Sequence, residues 1–329
     1  MPLRALTSTI QPCPLPLLRS RDVAHPERGV AAGVLVRVRA GVYASTPLWN
    51  ALPPWHRYLA RVHAVALVTP DAVFCLESAA ALQGMPIFGD PRTVHVAVTD
   101  SSASRLVSGV NTHRTTLDRD VVEVGGIAMT SAADTAVDLG RHRHPAVGLA
   151  AADAALRLEA DLSREALQGV NEGRRSSRGR NLARWPLSRA TADAETALES
   201  VSRAVIEWLG FPPPDLQVSF VSTDDVVDRS DMFWPEIGLV GESDGDLKYD
   251  GRYGDARAVL RSQSERDRRL RAQPRVRSLV HWGWADATRV DSLRSILIGV
   301  GLRQREPEHP AHLSSLRRAL APHPPHRTA

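Results

Sequence analysis

Two short apolar runs, Met232-Phe-Trp234 and Leu239-Val240, flank Pro235-Glu-Ile-Gly238, and each carries a carboxylate at its outer end, Asp231 and Glu242. A four-residue loop of this kind closes a β-hairpin. In the register the loop allows, Trp234 faces Leu239 and Asp231 faces Glu242, with opposed Cβ atoms about 5 Å apart. Asp244, two residues beyond Glu242, falls on the same face of the strand. The pattern therefore predicts three carboxylates converging at one end of a ribbon. Like charges that close raise one another's pKa unless a cation intervenes. A hard divalent ion such as Mg2+, held by one or two carboxylates plus a substrate phosphate, suits such a site. It would polarise a phosphoryl oxygen and activate a water. The other reading of the same residues is a turn at Gly245-Asp246 with the carboxylates splayed into solvent.

The basic residues are almost all arginine. Of 41 lysines and arginines only Lys248 is lysine, and it follows the carboxylate run. Lysine offers a compact point charge that the guanidinium fork does not. Beyond the Gly245 turn it is placed to stabilise developing charge or to orient a water. A surface lysine that arose by drift is the alternative.

Bulk composition limits the class of protein more than its activity. A chain of 329 residues accommodates two or three domains, and 43% hydrophobic with 24% charged residues is ordinary for a globular protein. The net charge of +4 permits a nucleic-acid partner without requiring one. Cys13 and Cys75 are too few for a disulfide framework or a thiolate zinc site. Pro12, Pro14 and Pro16 interrupt any leader-like apolar run, and no stretch reaches the length of a membrane span. The expectation is a cytoplasmic protein with no membrane partner.

Along the chain, residues 1–16 read as a loose start. Residues 34–44 alternate, with Val34, Val36 and Val38 on one face, Leu35, Arg37 and Arg39 on the other, and a turn at Ala40-Gly41. Tyr58, Leu59, Val62, Val65 and Ala66 have helical spacing, and a second helix from Ser78 to Gln83 ends at Gly84. Short strands are expected at Val94–Val98 and Val121–Met129. Thr130 or Ser131 then caps a helix that Gly140 ends. An alanine-rich helix over 146–159 and a helix starting at Ser163 follow. Residues 172–190, polar and arginine-rich, read as a linker able to touch phosphate or simply solvated. After it come a helix over 192–209, stopped by Gly210 and three prolines, and strands at 216–221, 231–234 and 238–243. A charged helix over 256–271, a strand from Val276 to Trp282 and a helix over 290–300 complete the pattern. Residues 305–329, rich in Pro and His, read as a disordered tail.

Further residues tie these elements to a family. They are Glu199 with Arg203, Pro212-x-Pro214, Gln217, Asp231-x-x-Trp234-Pro235, Gly241-Glu242-x-Asp244-Gly245 and Lys248-Tyr249. Glu265-Arg-Asp267 and Val280-x-Trp282-x-Trp284-Ala-Asp complete the set. Through them residues 191–300 resemble the very-short-patch-repair-like branch of the PD-(D/E)xK nuclease superfamily, in the form common in actinobacterial proteins. The resemblance implies a restriction-endonuclease-like α/β domain over 191–304. It makes Asp231 and Glu242 metal ligands, Asp244 a third ligand and Glu199 the acid of the first helix. Asp231, Glu242, Lys248 and Glu199 would then carry catalysis, with Mg2+ as cofactor and Mn2+ able to replace it. The lysine that the superfamily places two residues after the glutamate is Asp244 here, so Lys248 would supply that charge from the next turn.

A second set lies earlier: Val36-x-Val-Arg-x-Gly41-Val-Tyr43, Glu77-Ser78-Ala79-Ala-x-Leu82-x-Gly84-x-Pro86 and Val94-His95-Val96. Thr112-His113-Arg114, Gly126-Ile-x-x-Thr130-Ser131 and Thr135-Ala-x-Asp138-Leu139 continue it. Through these, residues 19–170 resemble the AbiEi-type antitoxins of toxin–antitoxin and phage-defence systems. The resemblance implies a winged-helix-like segment over 1–48, short and broken by Pro26, and an antitoxin-like α/β domain over 49–171. The expected class is thus α/β in the broad sense, α+β in detail.

Arg37 and Arg39 on the ribbon, and Arg266 and Arg269 on the charged helix, are the candidate DNA contacts. A solvated strand face and an i,i+4 pair of Glu265 with Arg269 fit the same residues. His142 and His144 have no further ligand nearby and read as loop residues, His113 as a strand end, and His281 as a structural histidine. Trp282 and Trp284 fit core packing or base stacking. The functional expectation is a DNA-associated defence or toxin–antitoxin-type protein whose nuclease-like domain cleaves phosphodiesters, with DNA and a protein toxin as partners. The alternative is an inactive nuclease fold serving as a DNA-binding regulator.

Overall fold

The computed structural model describes residues 3–5, 10–98, 105–114, 118–222, 225–244 and 256–320, with the backbone alone at 3–5 and 256–260. The first part of the chain runs β1 (Leu3–Ala5), β2 (Leu18–Arg19), α1 (Pro26–Ala31), β3 (Leu35–Arg39), β4 (Val42–Ser45), α2 (Thr46–Ala51) and α3 (Pro54–Ala66). The alternating stretch does form a ribbon: β3 pairs antiparallel with β4, and β2 adds to its other edge. Two expectations need correction here. The start is not uniformly loose, because β1 joins a sheet beside residues 121–123. Pro26 does not break the segment ahead of the ribbon but opens α1, where its fixed φ suits the first helical turn.

Then come β5 (Val73–Phe74), α4 (Leu76–Gln83), β6 (Val94–Val98), β7 (Arg105–Val107), β8 (Val110–Arg114), β9 (Val121–Val124) and β10 (Ile127–Thr130). The expected single strand over 121–129 is two strands, turned back on each other at Gly125-Gly126. With β1 these elements build a seven-stranded mixed sheet in the order β1-β9-β10-β5-β6-β8-β7. Tyr58, Leu59, Val62 and Val65 of α3 pack with Phe74, Val94, Val96 and Met129 on this sheet, as their helical spacing requires.

A helical layer follows: α5 (Ala132–His142), α6 (Pro145–Leu158), α7 (Arg164–Gly173) and α8 (Arg180–Arg189). Ser131 and Ser163 cap α5 and α7 through their side-chain oxygens. Gly140 does not end α5; it lies inside it, where α5, α6 and α8 meet. A Cβ on Gly148 would stand 2.8 Å from the Gly140 Cα and 3.2 Å from Pro186, so the crossing needs residues without side chains. The linker expected over 172–190 is largely this layer: α8 buries Ala183, Pro186 and Leu187 against α5 and α6. Two of its arginines are polar in sequence but bonded inside the fold, Arg174 to Asp134 and Arg180 to the Arg174 carbonyl, while Arg178 is exposed.

The last part runs α9 (Ala197–Trp208), β11 (Asp215–Val221), β12 (Val227–Trp234), β13 (Leu239–Ser243), α10 (Ala256–Arg271), β14 (Ser278–Trp282), α11 (Trp284–Thr288), α12 (Val290–Gly299) and α13 (Pro310–Leu320). Its sheet has the order β11-β12-β13-β14, antiparallel up to β13, with β14 parallel to β13. Leu198, Val201, Val205 and Trp208 from α9, with Leu209 just after it, meet Met232, Trp234, Leu239 and Trp282 from the sheet. The expected tail over 305–329 is corrected by α13. Its Leu313 and Leu316 are buried, and the His309 amide donates to the Trp208 carbonyl at 2.8 Å. Residues 321–329 lie outside the described residues.

The two halves share packing. Ala146 and Leu149 of α6 enter the core of the last part, and the buried Asp153 accepts from Ser200, Arg203 and the Thr191 amide. The class is α+β. No helix among the described residues is long and apolar enough to cross a membrane.

Candidate functional site

Glu199 sits in the first turn of α9 because Thr196 caps that helix, accepting from the Glu199 amide at 3.1 Å. The glutamate is buried, and its Oε2 accepts from the Glu195 amide at 2.9 Å and from Gln217 Nε2 at 3.0 Å. Gln217 belongs to β11, which pairs with β12 on either side of it through Leu216↔Met232 and Val218↔Ser230. Opposite Asp231 the ladder is interrupted, and Gln217 takes φ 52°, a left-handed conformation costly for a residue with a side chain. The strain lies where the carboxylates meet.

The hairpin register is the one the loop predicts, with Trp234 paired to Leu239, Phe233 to Val240 and Met232 to Gly241. Asp231 Oδ2 accepts from the Ser243 amide and hydroxyl, both at 2.8 Å. Glu242, 2% exposed, has two unlike oxygens. Oε2 is 2.8 Å from Arg266 Nη1, whereas Oε1 is buried with no hydrogen-bond partner among the described residues. Burial first, then the neighbouring Asp231, push the Glu242 carboxyl up to about 8, against the pull of Arg266. Burial and Asp231 likewise raise Glu199 above the ordinary carboxylate range. Glu199 and Glu242 therefore each feel the charge of Asp231; of the three carboxylates that the hairpin pattern predicts to converge, the structure brings Asp231 and Glu242 together.

Asp244 is directed elsewhere. Its Oδ2 meets His281 Nδ1 at 2.6 Å and Gln263 Nε2 at 2.7 Å, and His281 Nε2 meets Asp267 at 2.9 Å. The hydrogen bond that His281 donates to Asp244 raises the His281 pKa, with burial opposing and Asp267 assisting. Among the described residues no group of three or more His, Cys, Asp or Glu side chains is arranged to hold a metal ion. The pair Asp231 and Glu242 remains, with one carboxylate oxygen unpartnered, and one or two carboxylates are what Mg2+ takes when phosphate supplies the rest. Lys248, with Gly245, Asp246 and Tyr249, lies outside the described residues.

The candidate DNA contacts divide. Arg37 is exposed on β3. Arg39 is half-buried, its Nε and Nη1 without hydrogen-bond partners among the described residues. Arg266 holds Glu242 and the Arg229 carbonyl. Arg269 forms a two-pronged pair with Asp228, both contacts at 2.7 Å, in place of the i,i+4 pair with Glu265. Trp282 is buried and donates to Ser202 at 2.8 Å, which makes it a core residue, and Trp284 meets the edge of Phe88. His281 is hydrogen-bonded on both nitrogens, and His144, rather than lying in a loop, caps α6 and reaches Ser315 of α13.

Gln263 was not singled out in sequence, nor was Asp267 given a partner. The signal was present: Gln263, Arg266, Asp267 and Leu270 share one face of α10 at positions i, i+3, i+4 and i+7. The residues on that face are mostly polar, so hydropathy does not mark it as inward-facing.

No protein-family model matches the chain, and no solved structure matches it. Two proteins of Mycobacterium tuberculosis, from strains CDC 1551 / Oshkosh and H37Rv, are each 34% identical over 215 residues. The matched region is 65% of this chain and 74% of each relative, and both are described only as uncharacterized proteins.

Proposed function

The chain belongs to the family of these uncharacterized mycobacterial proteins, and from its own carboxylates we propose that its last part is a metal-dependent nuclease acting on DNA phosphodiesters. The observation that carries the reading is the Oε1 of Glu242, buried beside Asp231 with no hydrogen-bond partner among the described residues. A buried carboxylate oxygen without a donor is costly, and a cation removes the cost. Asp231 and Glu242 would hold Mg2+, or Mn2+ in its place, and the ion would polarise a phosphoryl oxygen and lower the pKa of a bound water.

The chain's own residues set the rest. Glu242, with its carboxyl near 8, is mostly protonated at neutral pH and gives up its proton only to a stronger electrostatic partner. The Ser243 amide and hydroxyl fix the Asp231 carboxylate. Gln217 holds Glu199 at the border of the site. Lys248 is assigned to the developing phosphoryl charge and Asp244 to the margin, as the partner of His281. The part before α9 is assigned an antitoxin-like, DNA-associated role in the cytoplasm, with exposed Arg37 as a phosphate contact and a protein toxin as a further partner.

One observation favours a second reading. Arg266 already contacts Glu242 at 2.8 Å, where a cation would otherwise sit, and Asp244 stands where a catalytic lysine would. On that reading the fold binds DNA as a regulator and does not cut it. Nicking of supercoiled DNA by the full chain in Mg2+ or Mn2+, with Asp231→Ala as control, separates the two. Metal-dependent nicking lost in the variant supports the nuclease. Binding without nicking in either protein supports the regulator.

A further inference from the structure

A second polar concentration lies far from the carboxylates in sequence. It is a cavity of about 290 Å³ between β8, α5 and the segment following α7, and none of its lining residues belongs to the Asp231–Glu242 site. Its floor is apolar, formed by Leu76, Ala97 and the thiol of Cys75, and its walls carry five arginines against two aspartates. Burial pushes the Cys75 thiol well up, so it stays neutral and does not repel an anion.

The wall charges are unequally matched. Arg119 grips Asp138 with two contacts, at 2.7 and 2.9 Å. Arg174 is buried between Asp134 and Asp118. Arg141 has no such partner. It is 5% exposed, it forms no ion pair among the described residues, and its Nε makes no hydrogen bond there. Its one side-chain bond is from Nη2 to the Ser176 carbonyl at 2.6 Å. Arg178 at the rim is exposed and its guanidinium has no partner among the described residues.

The backbone holds these two arginines together. Gly179 has φ +71°, and a Cβ there would stand 2.1 Å from the Arg141 carbonyl oxygen. The Arg-Arg-Ser-Ser-Arg-Gly run is thereby clamped against α5 and made into a cavity wall. A buried guanidinium without a carboxylate is unfavourable unless an anion completes it. The guanidinium fork matches phosphate oxygens two at a time. Two unmatched guanidinium groups answer a dianion better than a carboxylate. A cavity at the low end of ligand-site volumes, about 300 Å³, suits a small molecule.

We propose that this cavity binds the phosphoryl group of a small phosphomonoester, with Arg141 as the buried anchor, Arg178 as the rim contact, and Leu76 and Ala97 against the ligand's organic body. The inference is independent of the nuclease reading, because it uses neither those carboxylates nor a cation.

Calorimetric titration of the full chain with phenyl phosphate, in chelator and at fixed ionic strength, is the test. Benzoate serves as the monoanionic probe with the same ring. The expected result is saturable one-site binding of phenyl phosphate at least tenfold tighter than of benzoate. Arg141→Met should weaken it at least tenfold and Arg178→Ala at least threefold. Should Arg141→Met fail to fold, the exposed Arg178→Ala decides alone. Absence of saturable binding, equal affinity for benzoate, or unchanged affinity in the folded variants would overturn the proposal.

Discussion

Replacing Glu242 by Gln isolates the largest resolved carboxylate perturbation of the site. The folded carboxyl sits near 8 and the ordinary value is 4.5, so the folded state holds a proton that the unfolded state has released. The resulting stability is fully present below about 4.5 and is lost as pH rises through about 8. At pH 7 the interval above 4.5 is 2.5 units, worth about 3–4 kcal/mol at roughly 1.4 kcal/mol per unit. Glutamine keeps the shape and the hydrogen-bond acceptor for Arg266 but cannot ionise. In chelator the variant should therefore lack about 3–4 kcal/mol of the wild-type loss in unfolding free energy between pH 5 and 8. Urea unfolding of both proteins across that range reads the difference directly. Parallel pH profiles would refute the reasoning, since they would mean that Glu242 is ionised in the folded protein without a cation.

Other expectations follow from the same packing. His281→Gln should cost about 1 kcal/mol at pH 5.5, where the raised imidazole is charged between Asp244 and Asp267. That cost should shrink as pH climbs through the raised value, and a pH series of Tm values checks it. Gly148→Ala forces a Cβ to 2.8 Å from Gly140 and should destabilise the α5–α6 crossing by about 1–3 kcal/mol, read by denaturant midpoint. If the chain binds DNA through the ribbon, Arg37→Ala should lower the salt slope of affinity by about one, whereas Arg269→Ala, whose guanidinium is held by Asp228, should leave the slope unchanged.

The legible parts of this fold are those where apolar spacing alone decides. The face of α9 and the hairpin register were readable because Leu198, Val201 and Val205, and Trp234 with Leu239, repeat at helical and strand periods. The convergence of Glu199, Asp231 and Glu242 followed from register together with the family resemblance. Helix α8 and helix α13 were hidden because each buries few apolar residues, Ala183 and Leu187 in one and Leu313 and Leu316 in the other, among many charges. Their stability comes from partners distant in sequence, such as Trp208 and His144 for α13. Gly140 carried the signal of a helix end, yet close packing against Gly148 keeps it inside α5. The pairing of Arg266 with Glu242 and the chain Asp244–His281–Asp267 are tertiary facts that no local spacing specifies.

The central claim is that Asp231 and Glu242 hold a divalent cation. Thermal unfolding of the full chain at pH 7 with increasing Mg2+, at constant ionic strength, tests it most directly alongside Asp231→Ala and Glu242→Gln. A saturable rise in Tm in the wild type, absent from both variants, is the predicted result. An unchanged Tm in the wild type, or an equal rise in all three proteins, would contradict it.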